Sequence, residues 1–348
     1  MNIAKIRRVG GLLLGMALLL AACNGDDPDD EAVDVADEEP DDLDEDEDDE
    51  APDDIIEVSF GASGMPSSIG LLAAIIQDEG LDEAHGLDMS FSEFAPDQAE
   101  QALLTGQVDT GFFAVLAQAN VQAEGQDVVF IRPLQANHGA VLVREDSEYE
   151  SLEDLQGQTV ATLSPVSGIY TSMQVFAARE GLDWERDFDV ISGPPPGLVG
   201  FIETGEVEAI KHFEPTVSNL LSTGNYRVIL TPTEVWEEET GVPLFMLGVA
   251  ARESWVSENP EAAQRLVALF DELLEMIDSD PEIIRNYQDE FDLSDEAMDI
   301  AVERMSGIYI PESSDEMEDS VNEILELAVE LEVIPAMPDT VFVDPHDY

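Results

Sequence analysis

Cysteine and basic residues are scarce in this chain of 348 residues. Cys23 is the only cysteine, so no disulfide can form within the chain. Lysine and arginine together number 13, against 79 aspartates and glutamates, which gives a formal net charge of −66. Because there is no basic patch to neutralise phosphate groups, the composition excludes a nucleic-acid-binding protein.

Recognisable catalytic and metal-binding motifs are also missing from the sequence. The four histidines, His85, His138, His212 and His346, are scattered and lack the spacing of metal ligands. There is no Gly-x-Ser-x-Gly elbow, no P-loop and no EF-hand loop. Only His212 falls where the pattern predicts a loop beside a cleft, and a lone histidine is more often structural. We therefore expect a protein that is not an enzyme, with no catalytic residues, no metal and no cofactor.

An apolar stretch that ends at Cys23 is the first positive signal. Three basic residues, an apolar run from Val9 to Leu20 and small residues before Cys23 follow the order of a secretory signal. The run is too short to span a hydrocarbon core of ~30 Å. Leu20-Ala21-Ala22-Cys23 resembles the bacterial lipobox, in which the cysteine is lipid-modified and becomes the new N-terminus. The resemblance implies a signal peptide over residues 1–22, lipidation of Cys23 and an extracytoplasmic position on the cell membrane. Whether export uses the general secretory or the twin-arginine route stays open.

Acidic residues are concentrated immediately after this signal. Residues 24–54 contain 20 acidic and no basic residues. Such a low-complexity segment repels itself and buries nothing, so residues 23–54 are predicted to be a disordered tether. Residues 55–348 are also strongly acidic, and Lys211 is their only lysine. Because the Debye length is only ~3 Å at about 1 M salt, this surface suits molar salt, and we expect a halophilic source.

Strand-like and helix-like segments alternate along the rest of the chain. The spacing from Ile55 onward is that of βαβ units, and the same pattern starts again after Arg144. An apolar run from Leu244 to Ala251 is predicted to be a strand that returns to the first unit. We therefore expect an α/β fold with two Rossmann-like lobes joined by two crossing strands. Lobe 1 would contain residues 55–142 and 245–348, lobe 2 would contain residues 143–244, and a cleft would lie between them.

Two apolar stripes at helical spacing follow the returning strand. We interpret both as faces that pack in a core. The first stripe is Ala263, Leu266, Val267, Phe270, Leu273, Leu274 and Ile277, and the second is Val321, Ile324, Leu325, Ala328 and Leu331.

Two phrases in the folded part carry a family resemblance. Residues 103–109 read Leu-x-x-Gly-x-Val-Asp, and residues 152–161 read Leu-x-Asp-Leu-x-Gly-x-x-Val-Ala. Together with Gly61–Ser68 and Ile202–Ala209, they resemble the substrate-binding proteins of ABC importers, in particular the nitrate, sulfonate and taurine group and the thiamine-pyrimidine-precursor binders. The resemblance covers residues 55 to about 335. It implies a type II periplasmic-binding-protein fold, a small-molecule ligand, an ABC permease complex as partner and a monomeric receptor.

The same resemblance implies where the ligand binds. In this family, loops at the carboxyl ends of strands and the N-termini of the following helices hold the ligand, because free backbone N–H groups favour anionic or carbonyl groups. By position, the expected ligand-binding residues are Ser63, Met65, Ser67, Ser68, Phe112, Phe113, Ser164, Ser167, Gly168, Phe213 and Glu214. Two alternatives stay open, since serines before helices are often simple N-caps and aromatic residues are often core residues.

Glu214 restricts the class of ligand. A carboxylate in the cleft would repel nitrate or a sulfonate and would suit a ligand with an amine or a ring N–H, unless Glu214 points to solvent. Lys211 would either pair with an acid in the cleft or lie at its rim. The predicted function is capture of a small polar organic ligand or anion, of the sulfonate, taurine, nitrate or pyrimidine-precursor class, for an ABC importer. A ligand-sensing lipoprotein of the same fold, not coupled to import, is the alternative.

Overall fold

Two five-stranded sheets form the framework of the protein. The structure is a computed structural model that describes residues 54–165, 167–311 and 314–348. The strands are Ile56–Ala62 (β1), Leu87–Glu93 (β2), Thr110–Ala114 (β3), Val128–Ala136 (β4), Ala140–Arg144 (β5), Thr159–Thr162 (β6), Asp189–Ser192 (β7), Ala209–His212 (β8), Tyr226–Leu230 (β9) and Phe245–Arg252 (β10). The predicted signal peptide, Cys23 and the predicted tether up to residue 53 lie outside the described residues.

Each sheet is mixed, with a parallel part and an antiparallel part. The first sheet has the order β2-β1-β3-β10-β4, and the second has the order β7-β6-β8-β5-β9. Strand β1 runs parallel to β2 and β3, whereas β10 runs antiparallel to β3 and β4. In the second sheet β6 runs parallel to β7 and β8, whereas β5 runs antiparallel to β8 and β9. Strand β10 therefore returns the chain to the first sheet, as the sequence pattern predicts.

Helices cover the faces of both sheets. They are Ser68–Glu79 (α1), Leu81–Ala84 (α2), Pro96–Leu104 (α3), Val115–Ala123 (α4), Gly168–Arg179 (α5), Pro195–Thr204 (α6), Thr216–Ser222 (α7), Pro232–Thr240 (α8), Glu253–Glu258 (α9), Pro260–Ser279 (α10), Gln288–Phe291 (α11), Asp295–Ser306 (α12) and Asp315–Glu330 (α13). Three short 3₁₀ turns occupy Glu153–Leu155, Pro281–Tyr287 and Pro345–Asp347. We call the first sheet with α1–α4 and α8–α13 the first lobe, and the second sheet with α5–α7 the second lobe.

The chain passes between the two sheets twice. The first passage, residues 137–139, joins the end of β4 to the start of β5. All of β5 pairs in the second sheet, so this passage lies just before the lobe boundary predicted at residue 142. The return passage contains α8, a helix that the sequence pattern does not predict. Trp236 of α8 is buried in the core of the first lobe, and its indole N–H donates to the Ser320 hydroxyl at 2.7 Å.

Both apolar stripes pack in the first lobe. On α10 the buried members are Ala263, Leu266, Phe270, Leu273, Leu274 and Ile277, and on α13 they are Val321, Ile324, Leu325 and Ala328. This confirms the interpretation of the stripes as core faces. Val267 is partly buried against the same core, whereas the Leu331 side chain is 37% exposed because α13 ends at Glu330.

Helix α5 of the second lobe is in contact with the first lobe. Its Val175 side chain belongs to the same core cluster as Trp236. Its Arg179 guanidinium lies 4.1 Å from the centre of the Trp236 ring, and Nη2 lies 2.8 Å from a carboxylate oxygen of Glu239. Cation–π and apolar contacts of this kind join the two lobes on one side of their junction.

Candidate functional site

The loop after β1 is held tightly against the start of α1. A Cβ atom added to Gly70 would lie 2.6 Å from backbone atoms of Gly64 and Met65, so this approach requires glycine. The Ser67 hydroxyl accepts a hydrogen bond from the Gly70 N–H at 2.9 Å and donates one to the Ser63 carbonyl oxygen at 3.4 Å. Ser67 is therefore the N-cap of α1, which is the alternative given above for a serine that precedes a helix.

Buried Ser68 continues this arrangement on the side of the first lobe. Its carbonyl oxygen accepts a hydrogen bond from the Tyr309 hydroxyl at 2.8 Å. Met65, by contrast, is partly buried and packs against the core of the first lobe. Ser63, Ser67 and Ser68 thus lie around the N-terminus of α1, whereas the Met65 side chain packs on the core beneath the loop.

The start of α5 is the corresponding feature of the second lobe. The Ser167 hydroxyl accepts from the Tyr170 N–H at 3.2 Å, so Ser167 is also an N-cap. A Cβ atom added to Gly168 would lie 3.2 Å from the Cβ atom of Ala114, the residue that ends β3 in the first lobe. The two lobes therefore meet at the N-terminus of α5. Ser164 lies on the exposed side of this loop, where its carbonyl oxygen accepts from the Ser167 N–H at 3.0 Å.

The aromatic residues separate into two groups. Phe112 and Phe113 are both buried, and they belong to different core clusters because successive side chains of β3 point to opposite faces of the sheet. Both rings are therefore core residues in this structure, which is the alternative left open above for the aromatic residues. Phe213 is only partly buried and lies against two imidazoles, with ring centres 6.0 Å from His138 and 4.8 Å from His212.

Glu214 connects the lobes by an ion pair. Its side chain is 1% exposed and accepts hydrogen bonds from the Ser218 N–H at 3.1 Å and from the Ser218 hydroxyl at 2.6 Å. Its other carboxylate oxygen accepts from the Nε atom of Arg304, which lies on α12 of the first lobe. Glu214 therefore points into the junction rather than to solvent, and Arg304 neutralises its charge. The objection that a free carboxylate would repel an anionic ligand no longer applies.

Buried basic groups collect at the same junction. Lys211 is 0% exposed, and its Nζ atom donates to the Gly139 carbonyl oxygen at 3.2 Å. Burial lowers the pKa of Lys211 to about 7. Burial also lowers the pKa of His138 to about 4, and the charges of Lys211 and Arg304 add to this effect. Lys211 is thus neither at the rim nor paired with an acid in the described part of the chain, which excludes both positions expected from the sequence.

His212 is buried beside this group and is held by main-chain atoms. Its Nδ1 atom accepts from the Phe213 N–H at 2.9 Å, and its Nε2 atom lies 3.2 Å from the Pro195 carbonyl oxygen. A neutral imidazole protonated on Nε2 satisfies both contacts. Burial lowers the pKa of His212, which agrees with a neutral ring.

Two further polar side chains at the junction have no hydrogen-bond partner among the described residues. They are Gln135, for both amide atoms, and Thr162, for its hydroxyl, and both residues are 0% exposed. Gln135 lies near the carboxyl end of β4, two residues before Asn137. The Asn137 amide donates to the Ser172 hydroxyl of α5 at 2.8 Å, so this face of the chain meets the second lobe. Burying such a group without a partner costs about 1–3 kcal/mol, so each of the two favours a polar partner at this junction.

Sequence reasoning did not select Gln135, His138, Thr162 or Arg304. A usable signal for the first two was present, because Gln-Ala-Asn-His at residues 135–138 interrupts an apolar strand at its carboxyl end. Arg304 carries no such signal, since its role depends on how α12 packs against α7.

The lobes leave little space between their apolar parts. A cavity of about 20 Å³ lies between them and is lined by residues that include Ala114, Gly168, Ser172, Trp236 and Phe245. This volume holds about one water molecule. This pocket alone is therefore too small for a molecule of several atoms.

Among the residues that the structure describes, no group of three or more histidine, cysteine, aspartate or glutamate side chains is arranged to hold a metal ion. Within the same residues, no helix has both the length and the apolar character needed to cross a membrane.

Comparison with known proteins agrees with this geometry. A Brucella abortus (strain 2308) protein named as a candidate binding protein is 24% identical over 230 residues, which cover 64% of this chain and 70% of that protein. The periplasmic aliphatic sulphonate-binding protein SsuA of Escherichia coli has a TM-score of 0.65 and 20% identity, covering 82% of this chain and 95% of SsuA. The alkanesulfonate-binding protein SsuA of Xanthomonas axonopodis pv. citri, solved with MOPS bound, has a TM-score of 0.65 and 16% identity, covering 81% and 96% of the two chains.

These structural similarities confirm the predicted two-lobed fold of the periplasmic binding proteins. The NMT1-like family matches residues 70–287, which include β3, the first passage between the lobes and the whole of the second lobe. Because this match covers more than half of the chain, the protein belongs to the NMT1-like family.

Proposed function

We propose that the protein is the extracytoplasmic solute receptor of an ABC importer and that its two lobes close over a small polar organic molecule or anion. The observation that carries this proposal is the pair of buried, unpartnered groups at the junction, the Gln135 amide and the Thr162 hydroxyl. A polar ligand that lies between the lobes would give both groups a hydrogen-bond partner.

A sulfonate, taurine or nitrate is the first ligand class to test. Two similar structures are sulfonate-binding proteins by name, and Glu214 is neutralised by Arg304 in this chain. A pyrimidine precursor is the second class, because Phe213 and His138 offer ring surfaces at the same junction.

The position of the receptor in the cell is part of the proposal. Lipidation of Cys23 would hold the protein at the outer face of the membrane, and the acidic tether, residues 23–54, would connect the lipid to the folded domain. The receptor would work as a monomer that delivers its ligand to a permease. The acidic surface fits a halophilic source, where salt screens the repulsion between carboxylates.

A binding screen in about 1 M salt tests this function. Sulfonates, taurine, nitrate and pyrimidine precursors are titrated calorimetrically and by thermal shift into the wild-type protein. The proposal predicts that at least one of them binds and raises the melting temperature. If none does so, the ligand class is wrong. A ligand that binds but leaves the ATPase activity of the permease unchanged would favour the sensory alternative instead.

A further inference from the structure

Lys211 is a buried cation without a buried counter-ion. It is the only lysine in residues 55–348, and its side chain is 0% exposed. Within the described part of the chain, its one hydrogen bond goes to the Gly139 carbonyl oxygen, and it forms no ion pair. A cation buried in this way is costly unless an anion or further acceptors join it.

The backbone around Lys211 is shaped to admit its ammonium group. A Cβ atom added to Gly139 would lie 2.6 Å from the Cε atom of Lys211 and 2.8 Å from its Nζ atom. Gly139 belongs to the first passage between the lobes, so the ammonium group reaches the junction rather than the interior of the second lobe. The lysine side chain therefore ends where the two lobes meet.

Thr162 lies on the same face of the second sheet as Lys211. Strands β6 and β8 are parallel, with Val160 opposite Ala209 and Ala161 opposite Ile210. One further step in this register places Thr162 beside Lys211. The Lys211 side chain and the unpartnered Thr162 hydroxyl therefore start from the same face of the second sheet, at the carboxyl ends of adjacent strands, and α5 begins after β6. All three features favour a negatively charged group.

The other charged and titratable groups around Lys211 do not supply that negative charge. His138 on the passage and His212 on β8 are neutral because burial lowers the pKa of both rings. Glu214 is bound to Arg304 and Ser218, and the Tyr170 hydroxyl of α5 donates to Glu185 at 2.9 Å. The balance of charge at the junction is therefore positive when Lys211 is protonated.

We propose that Lys211 is the charge-selecting residue of the binding site, and that its ammonium group, together with the Thr162 hydroxyl, binds the anionic group of the ligand. This inference rests on the proposed solute-binding function and adds that a net negative group on the ligand is required. A neutral isostere of the same shape leaves the buried ammonium uncompensated, so the site discriminates against it.

Ligand binding is then coupled to protonation of Lys211. An anion stabilises the protonated form, so the pKa of Lys211 is higher in the complex than in the free protein, where it is about 7. Affinity for the anion is highest below this pH and falls about tenfold per pH unit above it, until the pKa of the complex is reached.

Lysine-selective NMR tests the proposal directly, because the full chain contains only Lys5 and Lys211. The protein is labelled with ¹³C-lysine and titrated with pH, without ligand and with saturating methanesulfonate, and Lys211→Met assigns the signal. We expect the midpoint of the Lys211 signal to rise by at least about one pH unit with methanesulfonate. We also expect Lys211→Met to bind methanesulfonate about 30-fold more weakly or worse.

Two controls separate a loss of charge from a loss of structure. Arg227→Met removes another cation of the second sheet, one that donates to the carbonyls of Ser147 and Tyr149 at the opposite end, and it should keep wild-type affinity. Methanesulfonamide, the neutral isostere, should bind the wild type more weakly than methanesulfonate does.

The outcomes distinguish the inference from the function on which it rests. If the screen finds a ligand but Lys211→Met binds methanesulfonate like the wild type, or the Lys211 signal does not move, the inference about Lys211 is wrong. The proposed solute-binding function then still stands. If neither the screen nor methanesulfonate gives binding, the proposed function fails with it.

Discussion

The burial of Lys211 makes a prediction about stability that needs no ligand. In the unfolded chain its pKa returns to the ordinary value of 10.5, whereas in the folded protein it is about 7. Between these two values the unfolded state binds more protons than the folded state. The free energy of unfolding therefore rises with pH across this window and loses that contribution as the pH falls towards 7.

The magnitude follows from the two pKa values. Each pH unit within the window is worth about 1.4 kcal/mol, so raising the pH from about 7.5 to about 9.5 should add about 2.5 kcal/mol to the free energy of unfolding. For a domain of this size, that corresponds to a rise of about 5 °C in melting temperature. The window contains few other titrations, because carboxylates are already ionised and tyrosines ionise above it.

Urea unfolding at the two pH values, in about 1 M salt, measures this change for the wild type and for Lys211→Met. The free energy of unfolding of Lys211→Met should be almost the same at the two pH values. At the lower pH the variant should be more stable than the wild type. A wild-type stability that is flat or falls from about pH 7.5 to about 9.5 would refute the burial of a protonatable Lys211 without a counter-ion.

Three other substitutions test separate parts of the structure. Gly70→Ala should lower the free energy of unfolding by about 1–3 kcal/mol in urea titrations, because the new methyl group clashes with the backbone of the preceding loop. Gly200→Ala on α6 is the control, and it should not destabilise the protein because a Cβ atom there has no atom within contact distance. Glu214→Gln should cost about 2 kcal/mol by leaving Arg304 without its counter-ion between the lobes, and wild-type stability would argue against that ion pair. Cys23→Ser should move the protein from the membrane fraction to the soluble fraction, and unchanged fractionation would exclude the lipid anchor.

Local signals in the sequence predict most of the fold. Proline at a first helical turn and glycine just after a helix are local signals that predict the ends of α3, which runs from Pro96 to Leu104. Helix α8 was missed, since its acidic sequence has only a weak apolar stripe, and it is stabilised by the burial of Trp236.

The site is less predictable than the fold because its members come from distant parts of the chain. Glu214 and Arg304 are 90 residues apart, and no periodicity indicates that α7 and α12 pack together. The serines illustrate the opposite case, since Ser67 and Ser167 are N-caps whose position is local and therefore predictable. Burial of Lys211 depends on the close approach of Gly139, which only the folded chain brings about.

The position of the ligand between the lobes is tested most directly by a matched pair of threonine variants. Thr162 and Thr110 are both 0% exposed, but Thr110 lies at the opposite end of the first sheet, where its hydroxyl donates to the Ser59 carbonyl oxygen at 3.3 Å. The dissociation constant of the tightest ligand from the screen is measured calorimetrically for both variants. Thr162→Val should weaken binding by about tenfold or more, and Thr110→Val should leave it unchanged. Equal affinities for Thr162→Val and the wild type would contradict a binding site at this junction.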